Sequence, residues 1–164
     1  SAKFLTFKFR IISGVAADKN VAKIRVAGLG NDPESTFRLL NLLDRNNLNI
    51  DVMIQSLGKD GTKSVSFTVA KPDMLRTIDV LNDNKDSLGI KKLDYDENVA
   101  KISVIGAGVR SHSGVAAKMF GALANAGINT EMITTSEIRI TALIDEAYAD
   151  QAMRAIHETF LERV

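Results

Sequence analysis

Asn20-Val21-Ala22-Lys23-Ile24 and Asn98-Val99-Ala100-Lys101-Ile102 are the same five residues, 78 positions apart (98 − 20). The match extends outward from there. Arg25-Val26 stands against Ser103-Val104, and Gly28-Leu29-Gly30 against Gly106-Ala107-Gly108. Leu48-Asn49-Ile50-Asp51 then aligns with Ile128-Asn129-Thr130-Glu131 at an offset of 80 (129 − 49), so the second copy has two extra residues in its first loop. Ser56 meets Ser136 at that same offset. Self-similarity at a fixed period marks one supersecondary unit used twice.

Each copy reads as the same series of elements. Val21–Ala27 is a short β-branched run, hence a strand. Asn31-Asp32-Pro33 is a helix start, a capping side chain followed by proline near the first helical position. Phe37, Leu40 and Leu43 recur at helical spacing, with Leu39 and Leu42 widening the stripe. Ile50–Leu57 is a second strand, Gly58-Lys59-Asp60-Gly61 a hairpin turn, and Ser64–Ala70 a half-buried strand alternating Val65, Phe67 and Val69. Pro72 opens a helix carrying Met74, Leu75, Ile78 and Leu81, and Leu88–Leu93 makes a fourth strand. The order is βαββαβ. The second copy repeats it with Val99–Ile105, a helix over Ser113–Ala126 closed by Gly127, strands Glu131–Ser136 and Arg139–Ile144, and a helix over Ala147–Leu161. There it stops, one strand short. An incomplete sheet leaves an unpaired edge, and the spare segment is Ile11–Ala16. The sequence therefore predicts an α+β protein of two βαββαβ domains, 17–94 and 95–164, with strand 11–16 completing the second. The first domain is inserted in the second.

Composition narrows the function classes. The chain has 164 residues, 45% apolar and 25% charged, as a folded globular protein does. Its 21 basic and 20 acidic residues leave a net charge of +1, with no clustered cations to neutralise phosphates, so nucleic acid is not an expected partner. No apolar run approaches the ~20 residues that cross a bilayer, and no membrane is expected. Cysteine is absent and the histidines are two, His112 and His157, which argues against disulfides, thiolate chemistry and a metal site and fits a reducing cytoplasm. The opening Ser-Ala without methionine reads as a fragment of a longer protein.

Few motifs survive scrutiny. Gly106-Ala107-Gly108 lies between a strand and a helix, but Ser111 stands where a dinucleotide fingerprint needs its third glycine, and a strand-to-helix turn accounts for the pair. Ser111-His112-Ser113 brings hydroxyl and imidazole side by side in sequence, whereas catalytic triads assemble from distant parts. No catalytic residue is assigned. Asp94, Asp96 and Glu97 lack the spacing and glycine of a calcium loop and read as solvated linker. One constellation remains. In each copy a loop enters a helix N-terminus, whose N–H groups and partial positive charge suit an α-carboxylate. In each, a carboxylate, Asp51 or Glu131, begins the following strand and suits an ammonium. Two such ends match a zwitterionic amino acid. The competing reading is that both are ordinary exposed strand residues.

Residues 106–116, Gly-Ala-Gly-Val-Arg-Ser-His-Ser-Gly-Val-Ala, and 127–138, Gly-Ile-Asn-Thr-Glu-Met-Ile-Thr-Thr-Ser-Glu-Ile, resemble the regulatory region of aspartate kinases. The likeness runs from Ser13-Gly14-Val15-Ala16 to the last helix. It implies two ACT domains of ferredoxin-like topology that sense an amino acid, L-lysine and possibly L-threonine, for feedback inhibition. The kinase domain, with its ATP and magnesium, would lie outside this chain, leaving no cofactor within it. Carried over by motif, the effector-binding positions are Ser111, Gly114, Val115 and Ala116 at the second helix start, Asn129, Thr130 and Glu131 at the following strand, and Ser136 and Glu137 after it. In the first copy they are Asn49, Asp51 and Gln55. The resemblance also implies a homodimer, with Asp51 facing a partner's second domain, and marks Asp51 or Glu131 as the group that meets a lysine ε-ammonium. The first copy departs from the family at Asn31-Asp32-Pro33-Glu34 and Thr36, where many members have glycine after the proline and then a small residue. Its site is therefore expected to be weak. Another amino-acid effector, or a structural dimerisation unit with empty sites, remains the alternative.

Overall fold

The computed structural model describes residues 5–7 and 12–163. In chain order these form β1 (Leu5–Phe7), β2 (Ile12–Asp18), β3 (Val21–Leu29), α1 (Pro33–Arg45), β4 (Met53–Leu57), β5 (Lys63–Ala70), α2 (Met74–Asp83), the short α3 (Lys85–Leu88) and β6 (Lys92–Asp96). Then follow β7 (Val99–Gly106), α4 (Ser113–Asn125), β8 (Met132–Thr135), β9 (Arg139–Asp145), α5 (Ala149–Phe160) and β10 (Leu161–Arg163). The strands make two four-stranded antiparallel sheets, ordered β4-β5-β3-β6 and β2-β7-β9-β8, and a ribbon of β1 with β10. Asn20–Glu97 is one compact unit, and the described residues on either side of it together make the other.

Period-two alternation builds each sheet. On β3, Ala22, Ile24 and Val26 are buried and stand opposite Val69, Phe67 and Val65 of β5. Leu39, Leu42 and Leu43 of α1 and Met74 and Leu81 of α2 close over that face in a single core. In the other unit Ala100, Ile102 and Val104 pair with Ile144, Ala142 and Ile140, under Met119 and Leu123 of α4 and Ile156 and Phe160 of α5. Burying side chains of this size drives folding at roughly 1.5–3 kcal/mol each. The missing strand is β2. It lies on β7 with Val15 opposite Val104 and Ala17 opposite Ile102, so the segment before the first copy completes the second copy's sheet. Ile11, placed in that strand by the sequence, lies outside the described residues.

Several elements differ from the sequence expectation. Leu88–Leu93 is a strand only over its last two residues. Lys85–Leu88 turns once as a helix, closed by Gly89 at φ +73°, a left-handed conformation that suits glycine. The strand begins only at Lys92, so Asp94 and Asp96 are strand residues rather than linker. They occupy the face away from the helices, where Asp94 accepts an ion pair from Arg25 at 3.6 Å. Phe37 is 64% exposed and Leu75 69% exposed. Phe37 stands two residues, about 200° of helical rotation, from the inward Leu39. Next to Met74, Thr77 takes the inward place expected of Leu75. The second strand starts at Met53 rather than Ile50, because the Asp51 N–H donates to the Thr68 carbonyl and the Thr68 N–H to the Val52 carbonyl, two residues against one. The last helix ends at Phe160, and Leu161 already belongs to the ribbon with β1.

Gly28 forms the bulge between Ala27 and Leu29, with φ +86°. A Cβ there would meet the Lys91 Cβ at 2.5 Å, while the Lys91 N–H is tied to the Ala27 carbonyl. Gly28→Ala should therefore destabilise the chain by about 1–3 kcal/mol. Gly14→Ala, whose added Cβ meets nothing within 4 Å, should stay within about 0.5 kcal/mol of the parent in urea unfolding.

Candidate functional site

In both copies a strand delivers the chain to the start of a helix that lies against the hairpin of the two following strands. In the second copy Val109–Ser111 makes a single 3-10 turn, and α4 begins at Ser113. The Gly106 N–H donates to the Ile138 carbonyl at 2.8 Å, which holds this loop against the β8–β9 turn. Arg110 and Glu137 form an exposed ion pair at 3.7 Å across the same gap. The Ser136 N–H donates to the Arg139 carbonyl and closes the turn. Ser111, Gly114, Ala116, Ser136 and Glu137 are therefore gathered at one end of the unit, and all but the half-buried Ala116 are exposed. Val115 is wholly buried and its N–H donates to the His112 carbonyl, so its side chain serves the core.

The helix start itself differs between copies. No side chain caps α4; His112 occupies the capping position, where its carbonyl accepts the Val115 N–H but its imidazole makes no hydrogen bond to the first turn. At α1 the corresponding place is filled. Asp32 accepts the Ser35 N–H at 2.9 Å and the Ser35 hydroxyl at 2.8 Å. These hydrogen bonds, the hydroxyl's foremost, hold the Asp32 carboxyl below its ordinary value. Thr36 donates to the Gln55 side-chain oxygen at 2.6 Å. Lys63 Nζ ties the Asp32 carbonyl to β5 at 3.0 Å. The anion that the first turn of α1 attracts is thus supplied by its own chain.

The carboxylates Asp51 and Glu131 lie elsewhere. β4 and β3 both flank β5, and β5 pairs its Lys63 end with Leu57 and its far end near Asp51. Asp51 is thus at the end of the sheet away from the α1 start. Glu131, whose N–H donates to the Leu143 carbonyl, holds the same position in the second unit with Asn129 and Thr130. Thirteen helical residues, about 20 Å, separate the two ends. The pairing of helix start and carboxylate within one copy, expected from the sequence, is not formed, because the helix must run the length of the sheet before the next strand begins. The helices that start beside these carboxylates are α2 and α5. Arg76 of α2 donates to the Asn47 carbonyl, and Gln151 of α5 to the Ala126 carbonyl. Glu137, expected among the binding residues, is brought to Arg110, just before the α4 start, by the short β8–β9 turn. Among the described residues no group of three His, Cys, Asp or Glu side chains gathers to hold a metal, and no helix is long and apolar enough to cross a membrane.

The ACT domain family model matches residues 102–160. An aspartokinase from Pseudomonas aeruginosa is 38% identical over 150 residues, covering 92% of this chain and 36% of its own length, so the chain spans about a third of that relative. The regulatory subunit of aspartate kinase from Thermus thermophilus, solved in a ligand-free form, is 33% identical with a TM-score of 0.86, over 92% of this chain and 99% of that one. Escherichia coli aspartokinase III in complex with lysine and aspartate shares the fold at 21% identity and a TM-score of 0.73, over 92% of this chain and 33% of that one.

The Asp32 cap has a pH signature. Its carboxyl titrates lower in the fold than the ordinary 3.8, so its stabilisation is complete above that pH and disappears as pH falls through the lowered value. Asp32→Asn should lower stability at neutral pH and flatten the acid limb below pH 3.8, as followed by thermal melting across pH.

Proposed function

The chain belongs to the aspartate kinase family as an ACT-domain regulatory part, and from that premise we propose that it is an amino-acid sensor whose second copy holds L-lysine. The observation that carries this reading is the contrast between the two helix starts. The first turn of α4 has no capping side chain, and the turn just before it carries Arg110, paired with Glu137, so the helix start can accept an external α-carboxylate. Glu137 is the carboxylate at the same end of the unit, and a charge-assisted contact from it would select an amino acid with a second ammonium. The lysine named with Escherichia coli aspartokinase III supports this choice of effector. The first-copy site, closed by Asp32 and by the Thr36–Gln55 hydrogen bond, is inactive towards L-threonine in this reading.

Asn49, Asp51, Asn129, Thr130 and Glu131, at the opposite ends of their units, are assigned to contact with a second copy of the chain. β4 and β8 are sheet edges and display Met53, Leu57 and Ile133 to solvent, the exposed edge a homodimer would cover. The chain would act on a kinase domain that phosphorylates the aspartate side chain with ATP and magnesium. Lysine would shift that protein towards an inactive arrangement with a coupling of ~1–3 kcal/mol.

Calorimetric titration tests the assignment. L-lysine should bind saturably, and Glu137→Gln should weaken it by about tenfold or more. A loss with Glu131→Gln instead would move the ammonium to the other end of the unit, and silence with the parent chain would favour a structural role. L-threonine should give no heat with the parent, whereas Thr36→Ala, which frees the Gln55 amide, should restore measurable binding if first-copy closure is the reason.

A further inference from the structure

Unit 20–97 contains a cavity of about 490 Å³ on the face of its sheet away from the helices. That volume falls within the range of small-ligand sites. Three cations line it, Arg25, Lys59 and Lys91, against one carboxylate, Asp60. Asp60 is engaged internally, accepting the Thr62 N–H at 3.0 Å and the Thr62 hydroxyl at 2.8 Å. Arg25 shares Asp94 with Lys92. Lys59 and Lys91 make no salt bridge among the described residues. The wall also carries the hydroxyls of Thr62 and Ser64.

The cavity is a built feature of one copy. The bulge at Gly28 leaves room for the Lys91 side chain to lie across the strand, where a Cβ would collide with it. The β4–β5 hairpin supplies Lys59, Asp60 and Thr62. Seven residues, 57–63, lie between the paired Ser56 and Ser64, whereas two, 137 and 138, lie between Ser136 and Arg139 in the second copy. Arg25 is replaced by Ser103 at the repeat offset. The second copy thus lacks the wall and a cation together. Three lining cations and two hydroxyls outnumber the single ionised carboxylate and make a surface that attracts a small multiply charged anion.

We propose that the cavity formed by Arg25, Lys59, Lys91 and the 58–62 hairpin binds a small polyanion of the phosphate class, at a site separate from the helix starts. The test uses the whole 164-residue chain at low ionic strength, with pyrophosphate as probe and citrate as a second arm. Amide NMR shifts at Gly28, Gly58 and Lys91 should saturate with pyrophosphate. Lys91→Ala should weaken binding about tenfold, and the double variant Lys59→Glu with Lys91→Glu should abolish it. Both lysines lie on the surface, and an unchanged melting curve will verify that the variant folds. A response to citrate as well supports the same site and extends its ligands to polycarboxylates. The absence of saturable shifts with either anion, or binding that the double charge reversal leaves intact, overturns the proposal.

Discussion

The length of α1 and α4 against the sheets they cover governs the rest of this structure. Each helix starts where a central strand ends and has thirteen residues, about 20 Å, before the chain turns into the next strand. That next strand runs parallel to the first, with a third between them, so it must begin at the opposite end of the sheet. A helix start and the carboxylate that follows the same helix therefore belong to different ends of one unit. A ligand at the start of α1 or α4 must find its carboxylate in the hairpin turn, as Glu137 offers, or outside the unit, because Asp51 and Glu131 lie beside the starts of α2 and α5 instead.

Two copies of one topology have been given different chemistry by small changes at their ends. In the first, Asp32 turns its carboxylate onto the Ser35 N–H and hydroxyl, and Thr36 holds Gln55. The helix macrodipole is satisfied from within, which favours stability over binding. In the second, His112 and Ser113 replace Asp32 and Pro33, no cap forms, and the small Gly114 and Ala116 stand where Glu34 and Thr36 crowd the first copy. The hairpins diverge in the opposite sense. The first copy's longer turn folds around Asp60 and carries cations, while the second copy's short turn brings Glu137 to Arg110. Each copy thus gathers polar side chains at the end of the sheet where its first helix starts.

The insertion of one unit in the other has a simple physical basis. A sheet of β7, β9 and β8 alone would leave Ile102 and Val104 without a neighbour on one side. β2 supplies it through Val15 and Ala17, although more than eighty residues separate the two strands (102 − 17). The loop-closure cost of such a separation grows only logarithmically with length, and the intervening chain folds into a unit with its own core.

The residues themselves determined the repeat, the order of elements, the missing strand and its donor, because alternation on β3, β5, β7 and β9 and the caps at Asp32 and Gly127 are local signals that packing obeys. Local signals misplaced β6, since Leu88 and Ile90 resemble a strand until Gly89 is seen to turn left-handed, and the acidic Asp94 and Asp96 hide a strand whose polar face is paired with Arg25. They also overrated Phe37 and Leu75, because which way a helix faces is settled by the sheet beneath it. The site was legible as a set of residue types but not as an arrangement. That Arg110 meets Glu137, that Asp51 and Glu131 stand at the far ends, and that Asp32 rather than a ligand fills the first helix start are consequences of three-dimensional distance. Sequence separation carries no information about it until the helices have spanned their sheets.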